Sequence, residues 1–189
     1  MNLSELEGRR IAIWGYGQEG RATLAALRWR LPRAPLALLC SAAEASEVMG
    51  LGDPALYIFT EEVTADLLVR FDVVIKSPGI SPYHGVAAQA LARGVRFTSG
   101  TALWFAESPE ARTICVTGTK GKSTTTSLLA HLLRAGGHRT GLAGNIGLPL
   151  LEVLDGEAEA WAIELSSYQT RDVAASGAPR LCVTAPNGS

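Results

Sequence analysis

Cysteine is scarce in this chain. Only three occur in 189 residues, Cys40, Cys115 and Cys182, far apart and each in an apolar, strand-like stretch. An odd, scattered set argues against a disulfide framework or a cysteine metal site, and for small buried hydrophobes in a reducing cytosol. An excess of one charge is also missing: 17 Lys+Arg against 18 Asp+Glu leave a formal charge of −1. A general nucleic-acid or membrane-surface binder usually carries a basic surplus, so neither partner is expected. No apolar run approaches the ~18–20 residues that span a bilayer. The opening MNLSELEGRR has no apolar stretch behind a basic start, so a secretory signal is not expected. His84, His131 and His138 show no metal-ligand spacing and read as structural or exposed. No internal repeat or low-complexity segment is visible. What is present is ordinary for a globular protein, 47% hydrophobic and 19% charged residues, enough chain for one large domain or two small ones.

Short apolar runs alternate with longer helix-like segments. Ile11 to Trp14 precedes Gly15, and Leu24, Leu27 and Leu31 then recur at helical spacing until Pro32. Leu36 to Cys40, Val73 to Ile75 and Val95 to Thr98 read as further strands, the Val73 run closed by Ser77-Pro78-Gly79. This β-α-β alternation predicts an α/β fold with a parallel sheet covered on both faces. Glu107 to Arg112 is polar and contains a proline, which reads as a linker. The pattern then restarts with Ile114 to Thr117, a glycine-rich turn, and a helix with Leu128, Leu129, Leu132 and Leu133 on one side, ended by Gly136-Gly137. Trp161 to Leu165 and Leu181 to Val183 are the next strand candidates. Trp104-Phe105 reads as core or interface. The tail Ala185 to Ser189 is a turn signal directly after a strand, which suggests a domain cut in the middle and an exposed edge prone to aggregation.

The most specific local pattern is Gly118-Thr119-Lys120-Gly121-Lys122-Ser123-Thr124, between a buried strand and an amphipathic helix. Glycines there let backbone N–H groups turn inward on an anion, and the helix N-terminus adds its positive dipole. Lys122 would reach outer phosphates and the Ser123 hydroxyl would ligand Mg²⁺. The general phosphate-loop pattern places a glycine where this chain has Val116, so a tighter loop on Gly118 and Gly121 must serve. Glu164, near the carboxyl end of its strand, could hold the magnesium of a nucleotide bound there. Gly15-Tyr16-Gly17-Gln18-Glu19-Gly20 matches the dinucleotide pattern G-x-G-x-x-G. The acid that would hold a ribose is missing, since the second run ends Cys40-Ser41 and the nearest acid, Glu44, lies past that position. A nicotinamide cofactor, and with it an oxidoreductase, is disfavoured, while a nucleotide phosphate near this loop stays open. Ser77 to Pro82 leaves a strand end, and Gly144-Asn145-Ile146-Gly147 sets an amide between two glycines; either could be plain turn chemistry.

The loop at Gly118–Thr124, Gly144-Asn145-Ile146-Gly147 and Glu164-Leu165-Ser166-Ser167-Tyr168-Gln169 together resemble the Mur ligase family, ATP-dependent amide ligases of peptidoglycan synthesis. The resemblance extends along the chain to about Val183. Within the family the chain looks most like the enzymes that add glutamate to UDP-N-acetylmuramoyl-L-alanine. Lys120 in the loop, Gly100 to Phe105 and Ser-Ser-Tyr-Gln-Thr look like the L-glutamate branch, with the D-glutamate branch as the alternative. The resemblance implies a Rossmann-like domain over residues 1–110, binding the uridine nucleotide near Gly15, Gly17, Ser77 and Gly79. It implies an incomplete, mainly parallel P-loop-type ATPase domain over 111–189. Lys122 and Glu164 would be catalytic, Gly118 to Thr124 would bind ATP, Ser123 and Glu164 would serve Mg²⁺, and Asn145 and Ser167 would meet the muramoyl substrate. It further implies a cytoplasmic enzyme, monomeric at full length. ATP would phosphorylate the substrate carboxylate and the glutamate amine would displace phosphate from the acyl phosphate. The family's later histidine, modified lysine and amino-acid-binding domain have no counterpart here, so full turnover by this chain alone is not expected. A non-catalytic uridine-nucleotide-binding fragment is the other alternative.

Overall fold

A computed structural model describes residues 1–83, 85–175 and 181–184. His84 and the tail 185–189, on which sequence expectations were placed, lie outside the described residues. Two parallel sheets organise the chain. The first contains β1 (Ile11–Trp14), β2 (Leu36–Leu39), β3 (Leu56–Phe59), β4 (Val73–Lys76) and β5 (Arg96–Thr98), in the order β3-β2-β1-β4-β5. Its helices are α1 (Gln18–Arg30), α2 (Ala42–Met49), the single turn α3 (Ala65–Leu68), α4 (Gly85–Ala92) and α5 (Gly100–Glu107). The second sheet contains β6 (Thr113–Thr117), β7 (Thr140–Gly144), β8 (Ala160–Glu164) and β9 (Leu181–Thr184), in the order β7-β8-β6-β9. Its helices are α6 (Lys122–Ala135) and α7 (Ser167–Ala175).

Local chemistry sets these elements. β1, β2 and β4 are nearly unbroken buried apolar runs, as expected of parallel strands packed on both faces. Leu31 closes α1, where Pro32 cannot extend the helix. Ser41 and Glu44 form a reciprocal cap on α2, and Ser99 caps α5 through Ala102 N–H. One core cluster, with Ala12, Leu39, Leu68 and Val74, lies on one face of the first sheet. The other cluster runs from Ile11, Ile13 and Leu27 through Trp104 to Trp161 and Ile163 of the second sheet. Trp104 packs edge-on against Phe105 at 5.0 Å and against Trp161 at 5.5 Å, so the aromatic pair is both core and interface. Truncating Trp104 to alanine would cost about 3–5 kcal/mol, the range for a large buried side chain.

Three expectations need correction. The apolar-run pattern predicts no strand at β3 or β7: β3 is a half-buried edge, and β7 carries two glycines and one large apolar residue, Leu142. The leucine side of α6 is not its buried face. Leu128 and Leu132 are exposed, Leu129 and Leu133 are half-buried, and the residues in full contact are Thr126 and Ala130. Small residues there let the helix backbone approach β6 and β8, which long leucines would hold off. The expected linker starts one residue late, since Glu107 ends α5 and accepts a hydrogen bond from Leu3 N–H at 2.7 Å.

Candidate active site at the carboxyl ends of two sheets

The turn after β6 is built for close backbone approach. Gly118 (φ +135°) and Gly121 (φ +74°) take conformations that side-chain-bearing residues rarely adopt, and Gly121 opens α6. Lys122 is the first residue of that helix, half-buried, with Nζ 3.5 Å from the Thr119 carbonyl. Lys120 and Ser123 are exposed beside it, and no acid occupies the first turn of α6. A helix N-terminus with two ammonium groups nearby and no acid in its first turn can hold phosphate oxygens.

Glu164 closes β8 in register with Val116 of β6 on one side and Gly144 of β7 on the other. This sets the carboxylate beside the strand that enters the phosphate-type loop. Its side chain is 1% exposed. Oε1 accepts from Asn145 Nδ2 at 2.9 Å, and Oε2 is buried with no hydrogen-bond partner among the described residues. Asn145 is further fixed by its own N–H, which donates to the Glu164 carbonyl at 2.8 Å. A buried carboxylate oxygen without a donor is costly unless a cation meets it. Among the described residues no group of three or more His, Cys, Asp or Glu side chains could cage a metal. A single buried carboxylate fits the sparse protein ligation of Mg²⁺, which takes its other ligands from water and substrate phosphates.

The first sheet has its own switch point between β1 and β4, where the chain leaves in opposite directions. Gly15 follows β1 with φ +97°, and a Cβ there would lie 2.3 Å from Ser77 Oγ. Ser77 follows β4, and its hydroxyl donates to the Trp14 carbonyl at 2.9 Å. The structure therefore brings Gly15 and Ser77 together. Gly17 and Gly79 have no neighbour that a Cβ would meet within 4 Å, so both loops face open space. Ser167, the first residue of α7, is exposed. At the end of β2, Glu44 is spent on the α2 cap, accepting from Ser41 N–H at 2.9 Å and from Ser41 Oγ at 2.8 Å. Its pKa is lowered by those bonds, and it is not poised to hold a ribose.

Between the first sheet and α7 lies a cavity of about 210 Å³, bordered by Lys76, Pro78, Thr98, Tyr168, Arg171 and Asp172. Sequence reasoning did not find the Lys76–Asp172 ion pair, although Lys76 stands at the end of an apolar run where a buried charge demands a partner. Its Nζ lies 3.5 Å from Asp172, with the two side chains 4% and 14% exposed. Glu19, at the start of α1, is mostly buried, and its pKa is pushed up to about 7 by that burial and by Asp172 and Glu152.

Residues 116–182 match the model of the Mur ligase middle domain. The chain is 59% identical over 191 aligned residues to a UDP-N-acetylmuramoyl-L-alanine–L-glutamate ligase of Xanthomonas campestris, covering 97% of this chain and 41% of that protein. It is 60% identical to one of Xylella fastidiosa, covering 94% of this chain and 39% of that one. Among solved structures, a UDP-N-acetylmuramate-alanine ligase from Thermotoga maritima aligns at TM-score 0.44 with 20% identity, over 84% of this chain and 37% of that one. The chain thus spans about two-fifths of the length of the curated relatives it matches. The chain is therefore similar along nearly its whole length to part of these ligases, and residues 116–182 match the Mur ligase middle-domain model.

Proposed function

We propose that this chain forms the uridine-substrate and ATP-binding parts of a ligase that joins L-glutamate to UDP-N-acetylmuramoyl-L-alanine. Residues 1–110 would take the uridine nucleotide at the β1/β4 switch point, through Gly15, Gly17, Ser77 and Gly79. Residues 111–189 would take ATP on the loop Gly118–Thr124. The observation that carries this reading is the buried Glu164, one oxygen held by Asn145 and the other unmatched, beside the strand that feeds that loop. The relatives' names supply the substrates.

A carboxylate is a poor acyl donor, and bound ATP supplies the phosphoryl group that turns it into an acyl phosphate. Lys122 would hold the outer phosphates and stabilise the charge that builds during transfer. Ser123 and Glu164 would hold Mg²⁺, which neutralises charge on the phosphates. Asn145, anchored to Glu164, would orient the muramoyl group, and the exposed Ser167 would meet the same substrate. The glutamate amine would then displace phosphate from the acyl carbon.

Calorimetric titration of the 189-residue chain tests this, with UDP-N-acetylmuramoyl-L-alanine, with ATP and Mg²⁺, and with NAD as the comparison. Saturable binding of the uridine ligand and of ATP, with no heat from NAD, is the expected result. NAD binding without uridine binding would sink the assignment and point to an oxidoreductase.

A further inference from the structure

Helix α7 begins three residues after Glu164 and packs across the junction between the sheets. Gln169, its third residue, is 1% exposed and has each polar group engaged. Its Oε1 accepts from Ser166 N–H at 2.9 Å, while the Ser166 hydroxyl accepts from Gln169 N–H at 3.3 Å. That reciprocal pair decides which end of the amide faces outward, because the Ser166 N–H requires an acceptor. The amide nitrogen therefore faces the first sheet. It donates to Glu19 Oε1 at 3.2 Å and to Thr101 Oγ at 3.2 Å. Three helix starts, those of α1, α5 and α7, meet on this one side chain.

One turn further along the same face of α7 stands Asp172, paired with Lys76 at the carboxyl end of β4. Glu19 lies within the Gly15–Gly20 pattern after β1, and Lys76 directly precedes Ser77. The two ties of α7 thus reach the two loops that flank the first switch point. At its other end α7 is joined through Leu165 and Ser166 to the strand holding Glu164. Buried polar ties of this kind contribute little net stability, but they fix one geometry because any other leaves a polar group unpaired.

We propose that Gln169 and Asp172 are positioning residues that clamp α7 onto the carboxyl ends of β1 and β4, so that a ligand at the first sheet's switch point is sensed at Glu164. The proposal rests on the functional reading above, in which each sheet binds its own ligand. Substrate and ATP would then bind with a coupling that runs through α7.

The test is titration of ATP and Mg²⁺ with and without saturating UDP-N-acetylmuramoyl-L-alanine, on the wild-type chain and on Gln169→Leu and Asp172→Asn. In the wild type each ligand is expected to change the other's affinity by about threefold or more, by the same factor in both directions. In both variants the separate affinities stay within about twofold and the coupling factor falls to about one. A merely structural role would lower both affinities together and leave the coupling factor alone. Absence of coupling in the wild type, or coupling unchanged in the variants, overturns the proposal. Gln169→Glu adds a pH readout, because the new carboxyl meets Glu19, with Asp172, Glu152 and Lys76 the other charged groups around them. Coupling is expected to be absent at about pH 8 and restored at about pH 5.5, where the two carboxyls share a proton; no restoration counts against the clamp. Hydrogen exchange without ligand separates this proposal from the functional reading. Faster exchange at the starts of α1, α5 and α7 in Gln169→Leu, with β1 and β8 unchanged, supports the clamp even if neither ligand binds. Unchanged exchange overturns it.

Discussion

The chain contains two strand–glycine loop–helix junctions, one after β1 and one after β6, and they differ in charge more than in shape. Both open with a glycine at positive φ, Gly15 and Gly118, and both lead into a helix of more than three turns. The first places Glu19 in the opening turn of its helix. The second places Lys122 and Ser123 there, with Lys120 just before and no acid. A helix dipole favours a nearby carboxylate by roughly 0.3–1 kcal/mol. Glu19 nevertheless has its pKa pushed up to about 7, because burial and two neighbouring acids outweigh that dipole. Glycine spacing therefore makes the turn, and the charge around it decides what the turn can hold. The β6 junction is set up to take a polyanion. The β1 junction holds an acid of its own in a buried contact with α7.

The largest expected effect comes from removing the charge that separates the two. Lys122→Ala should weaken ATP–Mg²⁺ binding by about 100-fold, or about 3 kcal/mol, the scale of a charge-assisted contact to phosphate. Binding of the uridine ligand should be unchanged. Calorimetry with each ligand in turn checks both halves, and equal losses for the two would erase the distinction between the junctions. The next effect comes from Glu19. Its folded pKa of about 7 lies above the ordinary 4.5, so the native state holds this proton more tightly than the unfolded chain does. Its contribution is therefore fully present below about pH 4.5, declines as pH rises to about 7, and is absent above that. Glu19→Gln keeps an acceptor for Gln169 and removes the titration. It should gain up to about 3 kcal/mol over wild type at pH 8 and almost nothing at pH 4.5. Urea unfolding at the two pH values measures this, and a gain of equal size at both would assign it to something other than proton linkage.

Much of this architecture was legible in the sequence because its markers are local. Unbroken apolar runs marked β1, β2 and β4, glycine patterns marked both junctions, and the Gly-Lys-Ser-Thr step marked the start of α6. What escaped depends on partners distant in sequence. β7 reads Thr-Gly-Leu-Ala-Gly, too poor in large residues to announce a strand, and its place is earned by pairing with β8. The leucines of α6 look like a core stripe, yet helix-to-sheet distance selects Thr126 and Ala130 for full burial. Glu164 was recognisable as a strand-end acid, but its unmatched oxygen depends on where Asn145 sits. Lys76 and Asp172 lie 96 positions apart, and no local pattern could have joined them.

Two glycines of the first loop sharpen the comparison further. Gly20 lies inside α1, where alanine is normally the better helix former by about 1 kcal/mol. A Cβ there would lie 2.1 Å from the Gly15 carbonyl oxygen, a backbone atom that cannot swing aside. The clash should outweigh the propensity, so Gly20→Ala is expected to destabilise the chain by about 2 kcal/mol, seen as a lower thermal midpoint. A gain in midpoint instead would mean that the loop can open without cost.

The smallest expected effect on folding is at Gly17, and it says most about what the first junction is for. This residue has φ −66°, which any amino acid adopts, and a Cβ would meet nothing within 4 Å. Gly17→Ala should therefore leave folding stability within about 0.5 kcal/mol of wild type. Neither steric crowding nor backbone strain accounts for glycine here. What remains is the approach of a ligand, since the second glycine of such a loop lets a phosphate come close to the backbone. Titration with UDP-N-acetylmuramoyl-L-alanine should then show weaker binding at unchanged stability. If both stability and affinity stay as they are, the β1 loop is a packing turn, and only the β6 junction meets a nucleotide.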